Sequence, residues 1–184
     1  MNYSLIRQSD ASNGPGLRLS LFVSGCQKAL EGNACPGCFN QITWDKDAGK
    51  PWTSEVQEHV LESIEPSYIS GLSILGGEPL SDFNLQPVKD LVEACKKRYP
   101  EKDIWLWTGY TISEILNDVK KKDIFFQMVQ YLDYIVDGPF IQNLSIPNLK
   151  YRGSTNQRIF KIHHINESHS IEDITDTIQN ASKN

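Results

Sequence analysis

The sequence predicts an α/β fold, a partial, open (β/α) barrel with a mostly parallel sheet. Three observations predict it. Apolar strands of period two alternate with helices of 3.6-residue spacing along most of the chain. Three of those strands run straight into glycine- or cysteine-rich loops, as ligand loops do at the carboxyl ends of parallel strands. The chain has 184 residues, whereas a complete eight-fold barrel takes about 250, so closure is not expected. One domain over residues 1–162 is expected, followed by a polar C-terminal tail over 163–184 with room for a short helix.

The elements follow in order. Leu17, Leu19, Leu21 and Val23 alternate with Arg18, Ser20 and Phe22, which is a strand. Gly, Pro, Asn and Cys dominate from Ser24 to Asn40, a loop. Ser54 and Gln57 have capping-box spacing and open a helix with Val56, Val60, Leu61 and Ile64 inward. Gly71 to Leu75 is a short apolar strand ending in Gly76-Gly77-Glu78-Pro79. Leu85, Val88, Leu91, Val92 and Cys95 share one helix face, and that helix ends near Tyr99-Pro100. Ile104 to Trp107 is a strand leading into Thr108-Gly109-Tyr110, with Trp105 and Trp107 expected in the core. Thr111 and Glu114 cap a helix through Ile112, Ile115, Leu116 and Val119, and Phe126, Val129 and Leu132 continue its spacing. Tyr134–Val136 and Arg158–Ile162 are strands. Beyond Ile162 a helix over Ile171–Gln179 is expected in a peripheral tail.

Charge and hydropathy exclude several classes. Eighteen Lys and Arg face 23 Asp and Glu, a net charge of −5, with no basic cluster to hold DNA or RNA by its phosphates. Apolar runs fall far short of the roughly 18 residues of a membrane span. The N-terminus, Met1 to Arg7, has no apolar h-region. A cytoplasmic protein is the expectation, with neither nucleic acid nor membrane as partner.

Cysteine placement points to chemistry. Cys26, Cys35 and Cys38 fall within thirteen residues, spaced Cys-x8-Cys-x2-Cys. Clustered thiolates suit zinc or an iron–sulfur cluster. Structural zinc wants four ligands, and the first histidine along the chain, His59, lies on a helix. Cys95, on an apolar helix face, reads as a buried small hydrophobe. Three thiolates on a four-iron cluster leave one iron open for substrate. A structural zinc knuckle is the alternative at this point.

The loop Ser20-Leu21-Phe22-Val23-Ser24-Gly25-Cys26, with Cys35-Pro36-Gly37-Cys38-Phe39-Asn40, resembles the cysteine loop of radical S-adenosylmethionine (SAM) enzymes. More narrowly, the chain resembles the family that activates anaerobic ribonucleoside-triphosphate reductase. The further segments are Asn13-Gly14-Pro15-Gly16-x-Arg18, Gly76-Gly77-Glu78-Pro79, Asp103 to Tyr110, Val136-Asp137-Gly138 and Arg152-Gly153-Ser154-x-Asn156-Gln157. One feature departs. The family's first cysteine interval is three residues, and here it is eight. Gly32 and Asn33 can turn the extra residues outward, and loop length costs only about 0.6 kcal/mol per doubling. The cluster is expected to survive the insertion.

The resemblance implies a barrel of the radical SAM type and an oxidoreductase chemistry. A reduced [4Fe-4S] cluster cleaves SAM to methionine and a 5′-deoxyadenosyl radical, which takes hydrogen from a glycine of the partner reductase. It also implies roles. Cys26, Cys35 and Cys38 hold three irons. Gly37 and Phe39 flank the last ligand and line the SAM site, where Phe39 packs either adenine or the core. Gly76 and Gly77 let backbone approach the SAM amine. Glu78 orients that amine or caps the turn. Residues Asn13 to Arg18 and Arg152 to Gln157 face SAM or the partner's glycine loop. His163, His164 and His169 have no implied metal role. A flavodoxin or ferredoxin is the implied electron donor. The alternatives are an activase of another glycyl-radical enzyme, such as pyruvate formate-lyase, and a non-catalytic zinc-binding module.

Overall fold

The computed structural model describes residues 1–165 and 168–181. Its eight strands are β1 (Asn2–Asp10), β2 (Leu17–Val23), β3 (Lys50–Pro51), β4 (Ile69–Gly76), β5 (Asp103–Trp107), β6 (Tyr134–Asp137), β7 (Arg158–Ile165) and β8 (Ser168–Asp173). They form one sheet in the order β3-β1-β2-β4-β5-β6-β7-β8. The helices are α1 (Gln27–Leu30), α2 (Ser54–Ile64), α3 (Leu85–Arg98), α4 (Ile112–Asn117), α5 (Val119–Val129) and α6 (Thr175–Asn180).

The expected parallel core is present: β2, β4, β5 and β6 run parallel as neighbours. The sheet is nevertheless not mostly parallel. The pairs β1–β2, β1–β3, β6–β7 and β7–β8 are antiparallel, so four of the seven pairings are. Parallel neighbours need a crossover of a dozen or more residues; β1 reaches β2 through residues 11–16 alone. The sheet is open, ending at β3 on one side and β8 on the other. The tail also differs from expectation. β7 continues past Ile162, and Ile171, expected in a helix, pairs with Ile162 as part of β8.

Capping explains the helix limits. Thr53, not Ser54, caps α2, its side chain accepting from the Val56 amide. Thr111 and Glu114 form the expected capping box at α4. The single helix expected from Ile112 onward is broken at Asp118. Its backbone is extended and its carboxylate accepts from the Lys121 amide, so it ends α4 and starts α5. Leu132 lies beyond α5, buried all the same.

Buried faces of α2, α3 and α5 pack with the central strands into one core. Trp105 is fully buried and stacks on Tyr134 with ring centroids 4.3 Å apart. Arg18 is fully buried too. Its guanidinium donates to Ser73 Oγ (2.7 Å) and the Leu72 carbonyl (3.0 Å) and pairs with Asp103 Oδ1 (2.5 Å). Arg18 therefore locks β2, β4 and β5 together. Among the described residues no helix is long and apolar enough to cross a membrane.

Candidate metal and cofactor centre

The carboxyl ends of β2, β4 and β5 lie side by side, which gathers the three expected loops at one end of the sheet. After β2, Gly25 turns with φ +88°, a conformation a side chain would oppose. Its amide donates to the Thr43 carbonyl (2.7 Å), and the Cys26 amide donates to that of Trp44 (3.0 Å). A second turn, with the Cys38 amide on the Cys35 carbonyl (3.1 Å), brings the other two thiols round. All three thiols are free and partly buried. They line one cavity of ≈ 330 Å³, together with Phe39, Gly76, Gly77 and Glu78. That volume lies in the range of small-molecule sites.

Burial pushes the Cys26 thiol up to about 11 and raises that of Cys35. Nearby carboxylate and thiol groups add to the effect, so a bound metal would be needed to hold Cys26 and Cys35 as thiolates at neutral pH. Among the described residues no three Cys, His, Asp or Glu converge tightly enough for a single ion. Three thiols on one cavity wall are a donor set that suits an iron–sulfur cluster or zinc.

The Gly-Gly-Glu turn is built into this cavity. Gly76 has φ +116°, and its carbonyl accepts from Asn40 Nδ2 (3.2 Å), tying β4 to the cysteine loop. Gly77 does not need a positive φ, but a Cβ there would lie 2.4 Å from the Gly25 carbonyl oxygen. Glu78 is 1% exposed. Its carboxylate accepts from the Leu80 amide (2.9 Å), Thr108 Oγ1 (2.8 Å) and the Gly109 amide (2.7 Å). Glu78 therefore clamps the β4 loop to the β5 loop.

The 4Fe-4S single cluster domain family matches residues 12–160 of this chain. The anaerobic ribonucleoside-triphosphate reductase-activating protein of Vibrio cholerae is 42% identical over 163 residues, 88% of this chain and 98% of that protein. The chain belongs to this family of activating proteins. Proteins of the same name from Enterobacteria phage T4 and Escherichia coli are 41% and 38% identical, over 87% and 90% of this chain and 94% and 99% of theirs. No solved structure matches it.

Against this activating-protein framework, the other sequence-derived candidates separate. Phe39 is 80% exposed and meets Phe140 edge-on at 5.1 Å, so it is not core. Gly37, with φ +75°, packs against Gln142 and is absent from the cavity wall. Asn13 lines the cavity, whereas Arg18 is consumed in the sheet. Arg152, Gly153 and Gln157 line it as well. Gln157 Oε1 accepts from the Gly153 amide (2.8 Å) and its Nε2 donates to the Gly138 carbonyl (3.0 Å), which folds that loop onto β6. Cys95 is fully buried, its thiol pushed up to about 12 by burial. Trp107, expected in the core, lines the cavity instead and donates to the Tyr151 carbonyl (2.8 Å). His164 and His169 meet across β7 and β8, far along the sheet from β2.

Several cavity residues carried no role from sequence, among them Thr43, Trp44, Phe140, Tyr151, Lys28 and Thr108. Thr108 sat in a recognised segment without a role. Lys28 sat inside the long interval, which was expected only to turn outward. Leu30 to Asn33 are indeed exposed. Gln27 to Leu30, however, coil into α1 and bring Lys28 inward.

Proposed function

We propose that this protein activates an anaerobic ribonucleoside-triphosphate reductase by placing a radical on one of its glycines. The proposal includes a [4Fe-4S] cluster on Cys26, Cys35 and Cys38 and SAM bound beside it in the same cavity. One observation carries it: three free thiols and the Gly-Gly-Glu turn share one cavity, in a chain of the activating-protein family. When bound, the cluster and SAM supply one-electron cleavage of the sulfonium to a 5′-deoxyadenosyl radical.

The chain's own residues supply binding, orientation and exclusion of water. Cys26, Cys35 and Cys38 would hold three irons of the cluster, which would leave one iron open to a ligand. Gly76 and Gly77 let the turn pack directly on the backbone of Val23, Gly25 and Thr43, which sets it on the cavity wall. Glu78, already engaged by three donors, fixes the turn rather than reaching for the ligand. Phe39, exposed at the cavity edge, offers an aromatic face to adenine. The open sheet with a parallel centre supports a partial barrel of the radical SAM type. A flavodoxin or ferredoxin is the proposed electron source, and the cytoplasm the proposed compartment. The test is anaerobic purification with metal and sulfide analysis, then SAM cleavage with dithionite. Brown protein with four irons that releases 5′-deoxyadenosine is expected. Colourless protein with bound zinc would reject the proposal.

A further inference from the structure

We propose that Lys28 is a positioning residue that tunes the reduction potential of the cluster, and that the long cysteine interval exists to carry it. This rests on the function proposed above. Lys28 lies two residues after Cys26, on the turn of helix α1. Its ammonium donates to the Gly109 carbonyl (3.0 Å) and pairs with Glu114 Oε1 (3.1 Å). It also sits 4.6 Å from the centre of the Tyr110 ring. The side chain is 13% exposed. Three bonding partners thus fix a cation on the wall of the thiol cavity.

The extra residues build this arrangement. Gly32, with φ +78°, turns the chain at the end of α1. The Gly32 amide donates to the Ala29 carbonyl (3.1 Å) and the Asn33 amide to that of Lys28 (2.6 Å). An interval of three residues has no room for this cap.

The position of Lys28 is close to the ligands. The point a Cβ on Gly109 would occupy lies 3.5 Å from Cys35 Sγ, 3.3 Å from Glu78 Oε2 and 3.8 Å from Lys28 Cδ. Lys28, Glu78 and Arg152 are the charged side chains of the described cavity wall. Arg152 spends its Nη1 on the carbonyls of Thr155 and Gln157. Lys121, 5.2 Å from the centre of the Tyr110 ring, is held by Asp82 and Asp118. Glu114 is 49% exposed, so water screens its charge more than that of Lys28. A cluster on three thiolates is anionic, and the one electron it accepts from the donor makes it more so. No bond forms or breaks. A fixed cation on a partly buried wall therefore favours the reduced form.

The experiment is an anaerobic redox titration of reconstituted wild type, Lys28→Met, Lys28→Arg and Glu114→Gln, read by EPR of the reduced cluster. Lys28→Met should lower the reduced-to-oxidised ratio about tenfold at fixed potential, a shift of about 59 mV downward for one electron. Lys28→Arg should stay near wild type. Glu114→Gln, which keeps a capping side chain, should shift less and in the opposite direction. Wild-type midpoints in both Lys28→Met and Glu114→Gln would overturn the inference, as would shifts in the same direction, which only a mechanical strap explains. If Lys28→Met holds no cluster, the upward shift of Glu114→Gln decides. A wild type that holds no four-iron cluster would overturn the proposed function and this inference with it.

Discussion

Substituting Gly77 by alanine should cost the protein its cluster, not only its affinity for SAM. The added methyl would lie 2.4 Å from the Gly25 carbonyl oxygen and 2.8 Å from that of Thr43. Both are backbone atoms and cannot swing aside. Both also belong to the ladder that holds Cys26, since the Gly25 amide bonds Thr43 and the Glu78 amide bonds Gly25. Overpacking of this kind costs about 1–3 kcal/mol, and losing the Glu78–Gly25 bond adds about 1 kcal/mol. For a domain of this size that corresponds to a fall in Tm of roughly 5–15 °C. The assay is thermal unfolding of the metal-free protein, followed by iron content after anaerobic reconstitution. Both should fall together. Wild-type Tm and full iron in Gly77→Ala, with only SAM binding lost, would refute the steric argument. It would show that this glycine serves the ligand alone.

Ser at Cys26, Cys35 or Cys38 should each abolish SAM cleavage, whereas Cys95→Ser should retain the cluster; iron loss from folded Cys95→Ser would contradict the ligand assignment. Burial of Cys95 also predicts a pH effect. Its folded pKa is raised to about 12, so the unfolded chain loses that proton first, and stability present below about pH 9 should fall by about 1.4 kcal/mol per unit as pH rises toward 12. Denaturant titrations of metal-free wild type and Cys95→Ala should show a shallower alkaline decline in the variant; identical slopes would refute the assignment. Deleting Leu30 to Ala34 removes mostly exposed residues and should leave cluster assembly intact, as iron analysis would show. Failure to assemble would mean the interval belongs to the cluster shell itself.

The legible parts of the fold were those with a buried face. β2, β4, β5 and the inner faces of α2 and α3 announce themselves because one side of each is apolar and buried. β1 and β8 carry little such signal. Nearly every β1 side chain is exposed or half-exposed, and all of β8 is exposed, so pairing rather than patterning defines them. The break at Asp118 was hidden because apolar spacing continues across it, while the cap that causes it is a single side chain. At the site, the cysteines and the Gly-Gly-Glu turn were visible as unusual residues in unusual loops. Arg18 was expected to face SAM or the partner and instead ties strands together, and Lys28 had no role, since the partners of a cation do not show in the sequence around it. Arg18 finds Asp103 across 85 positions, and Lys28 finds Glu114 across 86. Glu78 kept two roles open from sequence, and its three internal donors favour the clamp.

The central claim is that this chain makes a radical on a partner's glycine, and EPR tests it most directly. Anaerobically reconstituted protein, dithionite, SAM and the glycyl-radical subunit of an anaerobic ribonucleoside-triphosphate reductase should together give a glycyl-radical doublet. The doublet should depend on all four components and be absent with Cys35→Ser. A cluster-loaded protein that cleaves SAM yet leaves the reductase without a radical would contradict the claim.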